Sequence, residues 1–209
     1  MVLEDRIKNI IEVTIVNTRR VYLHALKERS EETPNFETPV YGILFPPYVD
    51  CRAVMEQALQ SVVRRLPDVF QRDPTSMPTP SVNITFVRPN EIEVEFSDNS
   101  GLPVTTVMFP YDEFMTPSDL YDMSIVVFDG ILNLSSNIQD ACISFISNYI
   151  DPVGKNFLIY FTGNAFKIPE GLGKGPIMVS GVSRRICTKI GIFDCSNIEL
   201  KRRNSYVVF

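Results

Sequence analysis

Ser81-Val-Asn-Ile-Thr-Phe-Val-Arg-Pro-Asn-Glu-Ile-Glu-Val-Glu-Phe96 is the stretch on which the reading of the fold turns. Val82, Ile84 and Phe86 alternate with polar residues, Arg88-Pro-Asn90 supplies turn chemistry, and Ile92, Val94 and Phe96 alternate again. A period of two on both sides of a turn predicts a β-hairpin. Asp98-Asn-Ser-Gly101 then predicts a second turn and Val104 to Phe109 a third strand, so the expectation here is an antiparallel β meander. Glu91, Glu93 and Glu95 fall on the outward side of the second strand, about 7 Å apart along it.

Upstream of this stretch, Leu3, Ile7, Ile10, Ile11, Val21, Tyr22, Ala25 and Leu26 recur by threes and fours and predict a helix from residue 3 to about 30. Its β-branched centre, Val13-Thr-Ile-Val16, leaves a break or a strand there open. Val40 to Phe45 predicts a short strand closed by Pro46-Pro47. Asp50 is placed to cap a second helix running to about Leu66. Residues 67–80 hold four prolines and predict an extended proline-rich connection.

Downstream, Thr116-Pro-Ser-Asp119 opens an expected helical region carrying Leu120, Ile125, Val126, Phe128, Ile131 and Leu132. Another helix is expected from Asn137 to about Ile150, and a buried strand from Asn156 to Phe161. Residues 171–209 contain Gly171, Gly173 and Gly175 and then short β-like runs at Ile177–Val179, Ile190–Phe193 and Tyr206–Phe209. This order keeps no βαβ rhythm, so the expected class is α+β, a single domain over residues 1–209 with its meander packed against several helices.

The net charge of −5 conceals a division. Between Pro89 and Gly154 stand eleven acidic residues and no lysine or arginine, whereas the rest of the chain holds 20 basic and 14 acidic residues. With 44% apolar and 22% charged residues the composition is that of a globular protein. No apolar run approaches the roughly 20 residues of a membrane span, and the N-terminus lacks the order of a secretory signal. Cys51, Cys142, Cys187 and Cys195 contain no CxxC pair and are expected as free thiols in a reducing compartment.

The candidate chemistry is sparse. His24 is the one histidine, which excludes multi-histidine metal sites and leaves a single imidazole for general-base work. Gly171-Leu-Gly-Lys-Gly-Pro176 has the spacing of an anion loop but not the GxxxxGK[ST] pattern, and Pro176 leads into an apolar run instead of a helix. The row at Glu91, Glu93 and Glu95 lacks the convergence across a cleft that paired catalytic carboxylates need. Arg184, Arg185, Lys189, Lys201, Arg202 and Arg203 face only Asp194 and Glu199 in the last part of the chain. Such a patch suits phosphates or an acidic protein surface, but it has no interleaved aromatics for stacking on bases.

Phe157-Leu-Ile-Tyr-Phe-Thr-Gly163, after an amphipathic helix and before Pro169-Glu-Gly-Leu172, resembles the C-terminal lobe of the HECT ubiquitin ligases over about thirty residues. The resemblance implies Cys187 as a catalytic cysteine. In the family that cysteine follows His-Thr or a similar dipeptide, whereas Cys187 follows Arg185-Ile186 at a shorter spacing. The stretch upstream is also too short for the family's large partner-binding lobe.

Segregated charge without a compact polar constellation predicts a structural or assembly subunit, not an enzyme, with no metal and no cofactor. The expected setting is a virus or bacteriophage particle, in a neck, tail or baseplate, in the virion or the host cytoplasm and away from membranes. Expected partners are further copies of the chain and neighbouring subunits, through Glu91, Glu93, Glu95, Arg184, Arg185, Lys201, Arg202, Arg203 and Phe209. A cysteine-dependent enzyme using Cys187 or His24, or a nucleic-acid-binding module using the basic C-terminal segment, are the alternatives.

Overall fold

The computed structural model of the chain describes residues 2–27, 37–70, 81–87, 123–151, 156–167, 176–177, 186 and 190–198. In chain order the elements are α1 (Leu3–Lys27), β1 (Val40–Phe45), α2 (Cys51–Arg64), α3 (Leu66–Phe70), β2 (Val82–Val87) and β3 (Met123–Phe128). A 3-10 turn (Ile131–Asn133), α4 (Ser136–Phe145), a π-helical turn (Ile146–Ile150), β4 (Phe157–Asn164), β5 (Phe166–Lys167), β6 (Pro176–Ile177) and β7 (Gly191–Asp194) follow. Strands β2-β3-β4-β1-β7, in that spatial order, make one sheet in which every neighbouring pair is parallel. Strands β5 and β6 form a separate antiparallel ribbon.

The expected α+β meander is therefore overturned: the chain is an α/β protein with a five-stranded parallel sheet. Alternation in Val82–Val87 marks a strand but says nothing of its partner, and the partner is Met123–Phe128, with Val82 opposite Met123 and Val87 opposite Phe128. That partner falls in the region expected to be helical, opened by Thr116-Pro-Ser-Asp119 and carrying Leu120, Ile125, Val126, Phe128, Ile131 and Leu132. In the structure both faces of Ile125-Val-Val-Phe128 are buried, and a continuous β-branched run is what an interior parallel strand requires. Glu91–Phe96 and Val104–Phe109 lie outside the described residues. A smaller correction concerns the proline-rich connection expected over residues 67–80, whose first four residues, 67–70, belong to a short helix, Leu66–Phe70. Proline is tolerated in a first helical turn, where its missing N–H has no partner to lose.

The helices cover both faces. Ile43, Phe45, Ile125, Val127, Leu158 and Tyr160 point to the side packed by α1 and α2. Val126, Phe128, Ile159 and Phe161 point to the other side, against the 3-10 turn, α4 and Ile186. The two faces follow from the strand order. After β1 the chain crosses two strand positions to reach β2 and then returns through β3 and β4, so crossovers of one hand place α2 and α4 on opposite faces. On the α2 face, Arg52 lies over the Phe86 ring at 5.4 Å and ties α2 to β2.

Two contacts fix the direction of α1. Burial pushes the Cys195 thiol up, and Arg6, near the start of α1, opposes that shift from close range; Cys195 immediately follows the carboxyl end of β7. Thr14, two turns further on, bonds Tyr160 in β4. The helix thus runs from the carboxyl edge of the sheet to the amino edge, and its β-branched centre stays helical because Thr14 and Ile15 are buried on the sheet.

Candidate functional site

The crossovers leaving β1 and β4 depart in opposite directions, which makes the carboxyl ends of these adjacent strands a topological switch point, the place where open parallel sheets take ligands. Its loops are stitched by Asn164, the last residue of β4. The Asn164 side-chain amide donates to the carbonyls of Pro46 and Val49, each at 2.9 Å. Its backbone N–H donates to Asn133 Oδ1 at 2.7 Å, and Asn133 Nδ2 donates back to its carbonyl at 2.9 Å. The Cys51 thiol donates to Asn164 Oδ1 at 3.2 Å. Beside them, Thr162 Oγ1 donates to Asp129 Oδ1 and accepts from the Gly130 N–H, both at 3.0 Å. Gly130 has φ 74°, a left-handed turn that suits glycine. Tyr48, with φ 63° and 95% of its surface exposed, caps the β1–α2 loop, and Asp50 accepts from the Ala53 N–H as the helix cap that the sequence predicts.

The chemistry of this network is that of a brace. Burial, then the Asp129 and Asp50 charges, push the Cys51 thiol up to about 12, so it remains protonated at neutral pH. Cys142 is pushed up to about 12 by burial, and Cys51, Cys142 and Cys195 are free and buried, as the sequence predicts for reduced thiols. Among the described residues, no three His, Cys, Asp or Glu side chains gather in a way that could hold a metal ion.

A different surface forms at the opposite pole. Among the residues of α1 whose side chains are described, Thr18 is the last buried one, and none from Arg19 to Ala25 is buried. From Thr14 to Lys27 the helix extends about 20 Å, while only about 10 Å of strand separates Tyr160 from the amino end of β4. The C-terminal part of α1 therefore overhangs the sheet by about 10 Å. Between residues 12–23 of α1, most of which precede this overhang, and the α2–α3 corner lies a groove of about 750 Å³, with Val13, Val16, Leu23 and Val69 contributing apolar surface and Arg19, Arg20, Arg65, Glu12 and Asp68 the charges. Arg65 pairs with Glu12 across it. Val13 and Val21 are 56% and 50% exposed.

Of the residues that the sequence singles out, His24 stands exposed on the overhang. Glu91, Glu93, Glu95, Arg184, Arg185, Lys201, Arg202, Arg203, Phe209 and Cys187 lie outside the described residues, as does the glycine loop before Pro176. The groove was missed, although its signal is present. Val13, Val16 and Leu23 form a second apolar stripe at helical spacing, off the stripe that Leu3, Ile7 and Ile11 turn to the sheet.

A scan against protein-family models finds no match for this chain, and no curated protein matches it. The segment resembling HECT ligases is β4, buried at the middle of the sheet. Among the described residues no helix is long and apolar enough to cross a membrane.

Proposed function

We propose that the protein is a structural subunit of a larger assembly, acting through protein–protein contacts, of the kind that builds the neck, tail or baseplate of a virus or bacteriophage particle. The groove between α1 and the α2–α3 corner is the observation that carries this reading. It joins the exposed Val13 to an arginine-rich rim along α1 and the α2–α3 corner, the mix of apolar centre and charged margin that protein interfaces use. The segregated charge supports it, since complementary patches on successive copies build head-to-tail contacts. The particle setting rests on elimination among the classes that the composition leaves. The test is light scattering of the full chain from low to high micromolar concentration, with Val13→Asp as the disrupting variant. Concentration-dependent association that Val13→Asp abolishes is expected; a monomer throughout, with no heteromeric particle recovered from its source, refutes the proposal.

A second reading, a small-ligand site at the switch point, has the crossover geometry behind it and the Asp50 and Asp129 charges that reach Cys51. Its test is thermal stabilisation by divalent cations or nucleotides that disappears in Asp129→Asn.

A further inference from the structure

We infer that Tyr48, in the β1–α2 loop, anchors a second contact surface whose partner is an arginine-bearing segment of another protein. This surface lies apart from the groove, at the carboxyl ends of β1 and β4, and goes beyond the assembly reading by naming a partner's chemistry. Among the described residues Tyr48 is the one non-glycine residue with a positive φ, 63°. A side chain of this bulk strains the backbone there, and such strain persists only where the surroundings enforce it. Here they do. Pro46 and Val49, on either side, are buried, and the carbonyls of both accept from the Asn164 amide at 2.9 Å. The ring itself packs on little, for 95% of the residue's surface is exposed. Asparagine or glycine would meet the same backbone demand with less strain. A rigid loop thus presents, at a cost to the fold, an aromatic side chain that the fold does not use. Tyrosine on a pre-organised loop suits the anchor of a protein interface, because it offers ring area with little freedom left to lose.

The charges beside the ring select the partner. Asp50, two residues on, is exposed, and Asp129 immediately follows the carboxyl end of β3; both charges act on Cys51. Each accepts through Oδ1 from a neutral donor, the Ala53 N–H for Asp50 and the Thr162 hydroxyl for Asp129, so neither bond neutralises the charge. Arg52, the cation nearest in sequence, lies over the Phe86 ring instead. The amino end of α2, which would favour an anion, is already met by the Asp50 carboxylate. A second exposed aromatic, Phe166, leaves the same junction, where the Ala165 N–H donates to the Phe45 carbonyl at 2.9 Å. Aromatic rings beside carboxylates fit a guanidinium, which stacks on a ring face and forks to an acid.

A fluorescently labelled peptide of alternating arginine and glycine, titrated into the full-length chain, tests this against the same peptide with citrulline, the neutral isostere, in place of arginine. The arginine peptide is expected to bind and to weaken with rising salt, and the citrulline peptide to bind about tenfold more weakly or worse. Tyr48→Phe should retain binding, whereas Tyr48→Asn and Asp50→Asn should each weaken it by about fivefold or more. Asparagine tolerates the left-handed backbone and also caps helices, so neither variant threatens folding, and Tyr48→Asn should melt at or above the wild-type temperature. A lower melting temperature for Tyr48→Asn would show that the ring serves the fold and would overturn the inference. Absence of binding, or binding that Tyr48→Asn leaves unchanged, overturns it equally. If the chain is monomeric, no particle is recovered and the peptide still binds through Tyr48, the assembly reading fails while this surface stands.

Discussion

The hydroxyl of Tyr160, fully buried in β4, meets Thr14 Oγ1 of α1 at 2.5 Å, and Thr14 also donates to the Ile10 carbonyl at 2.7 Å. With the threonine proton committed to its own helix, Tyr160 is the donor between them. Removal is therefore asymmetric. Thr14→Val strands a buried phenol and should cost about 2 kcal/mol, whereas Tyr160→Phe leaves the Thr14–Ile10 bond intact and should cost about 1 kcal/mol. Denaturant unfolding of the two variants and the double mutant checks this, with the double mutant less destabilised than the sum. A larger effect for Tyr160→Phe would show the donor assignment to be wrong.

Gly163 in β4 lies under the 3-10 turn so closely that an added Cβ would meet Leu132 Cβ at 2.6 Å and Asn133 Oδ1 at 2.8 Å. Gly163→Ala is expected to lose about 1–3 kcal/mol by overpacking. Leu132→Ala in the same background should recover part of that loss, giving a favourable coupling in a double-mutant cycle. Independent, additive losses would contradict the contact.

Asn164 satisfies Pro46, Val49 and Cys51 at once. Asn164→Ala should free the β1–α2 loop and raise the rate of Cys51 alkylation at least tenfold under native conditions, while Cys142 remains as protected as before. Equal protection of Cys51 in the variant would show that the loop is held by other contacts.

Alkaline pH should weaken the fold through its thiols. Cys51 and Cys142 ionise near their ordinary value of 9.0 in the unfolded chain but only at about 12 when folded. Their contribution is whole below pH 9 and is lost as pH rises from 9 towards 12, by roughly 1.4 kcal/mol per pH unit for each thiol. Cys142→Ala should therefore flatten the fall of stability above pH 9 relative to the wild type. An unchanged slope would place the Cys142 thiol in contact with solvent.

Local elements were legible in the sequence wherever one face is apolar. The helix starting at Leu3, the Asp50 cap, the strand from Val40, the helix over residues 136–150 and the buried strand from Phe157 all stand where periodicity places them. Strand direction was not legible, because alternation in Val82–Val87 is identical whether its partner is Ile92–Phe96 or Ile125–Phe128. Length misled as well. Met123–Phe128 is a short apolar run closed by the turn dipeptide Asp129-Gly130, a strand signal that was passed over because periodicity alone does not separate a buried strand from a buried helix segment. The brace at Asn164 had no signature in the sequence, since its partners are mostly backbone carbonyls. The groove depends on how α1 meets the α2–α3 corner, which periodicity does not encode.

The interior position of β1 has a consequence for biosynthesis. β1 is bordered by β4 and β7, with Val40 opposite Ile159 and Tyr41 opposite Gly191. Both partners are made more than a hundred residues later. A nascent chain therefore carries the apolar Val40–Phe45 with both edges open through most of its synthesis, and the first strand made is among the last to be enclosed. Sheets closed by such distant pairings fold slowly and expose strand edges while they wait, so production of this protein should respond to chaperone supply and to the speed of translation through its last third.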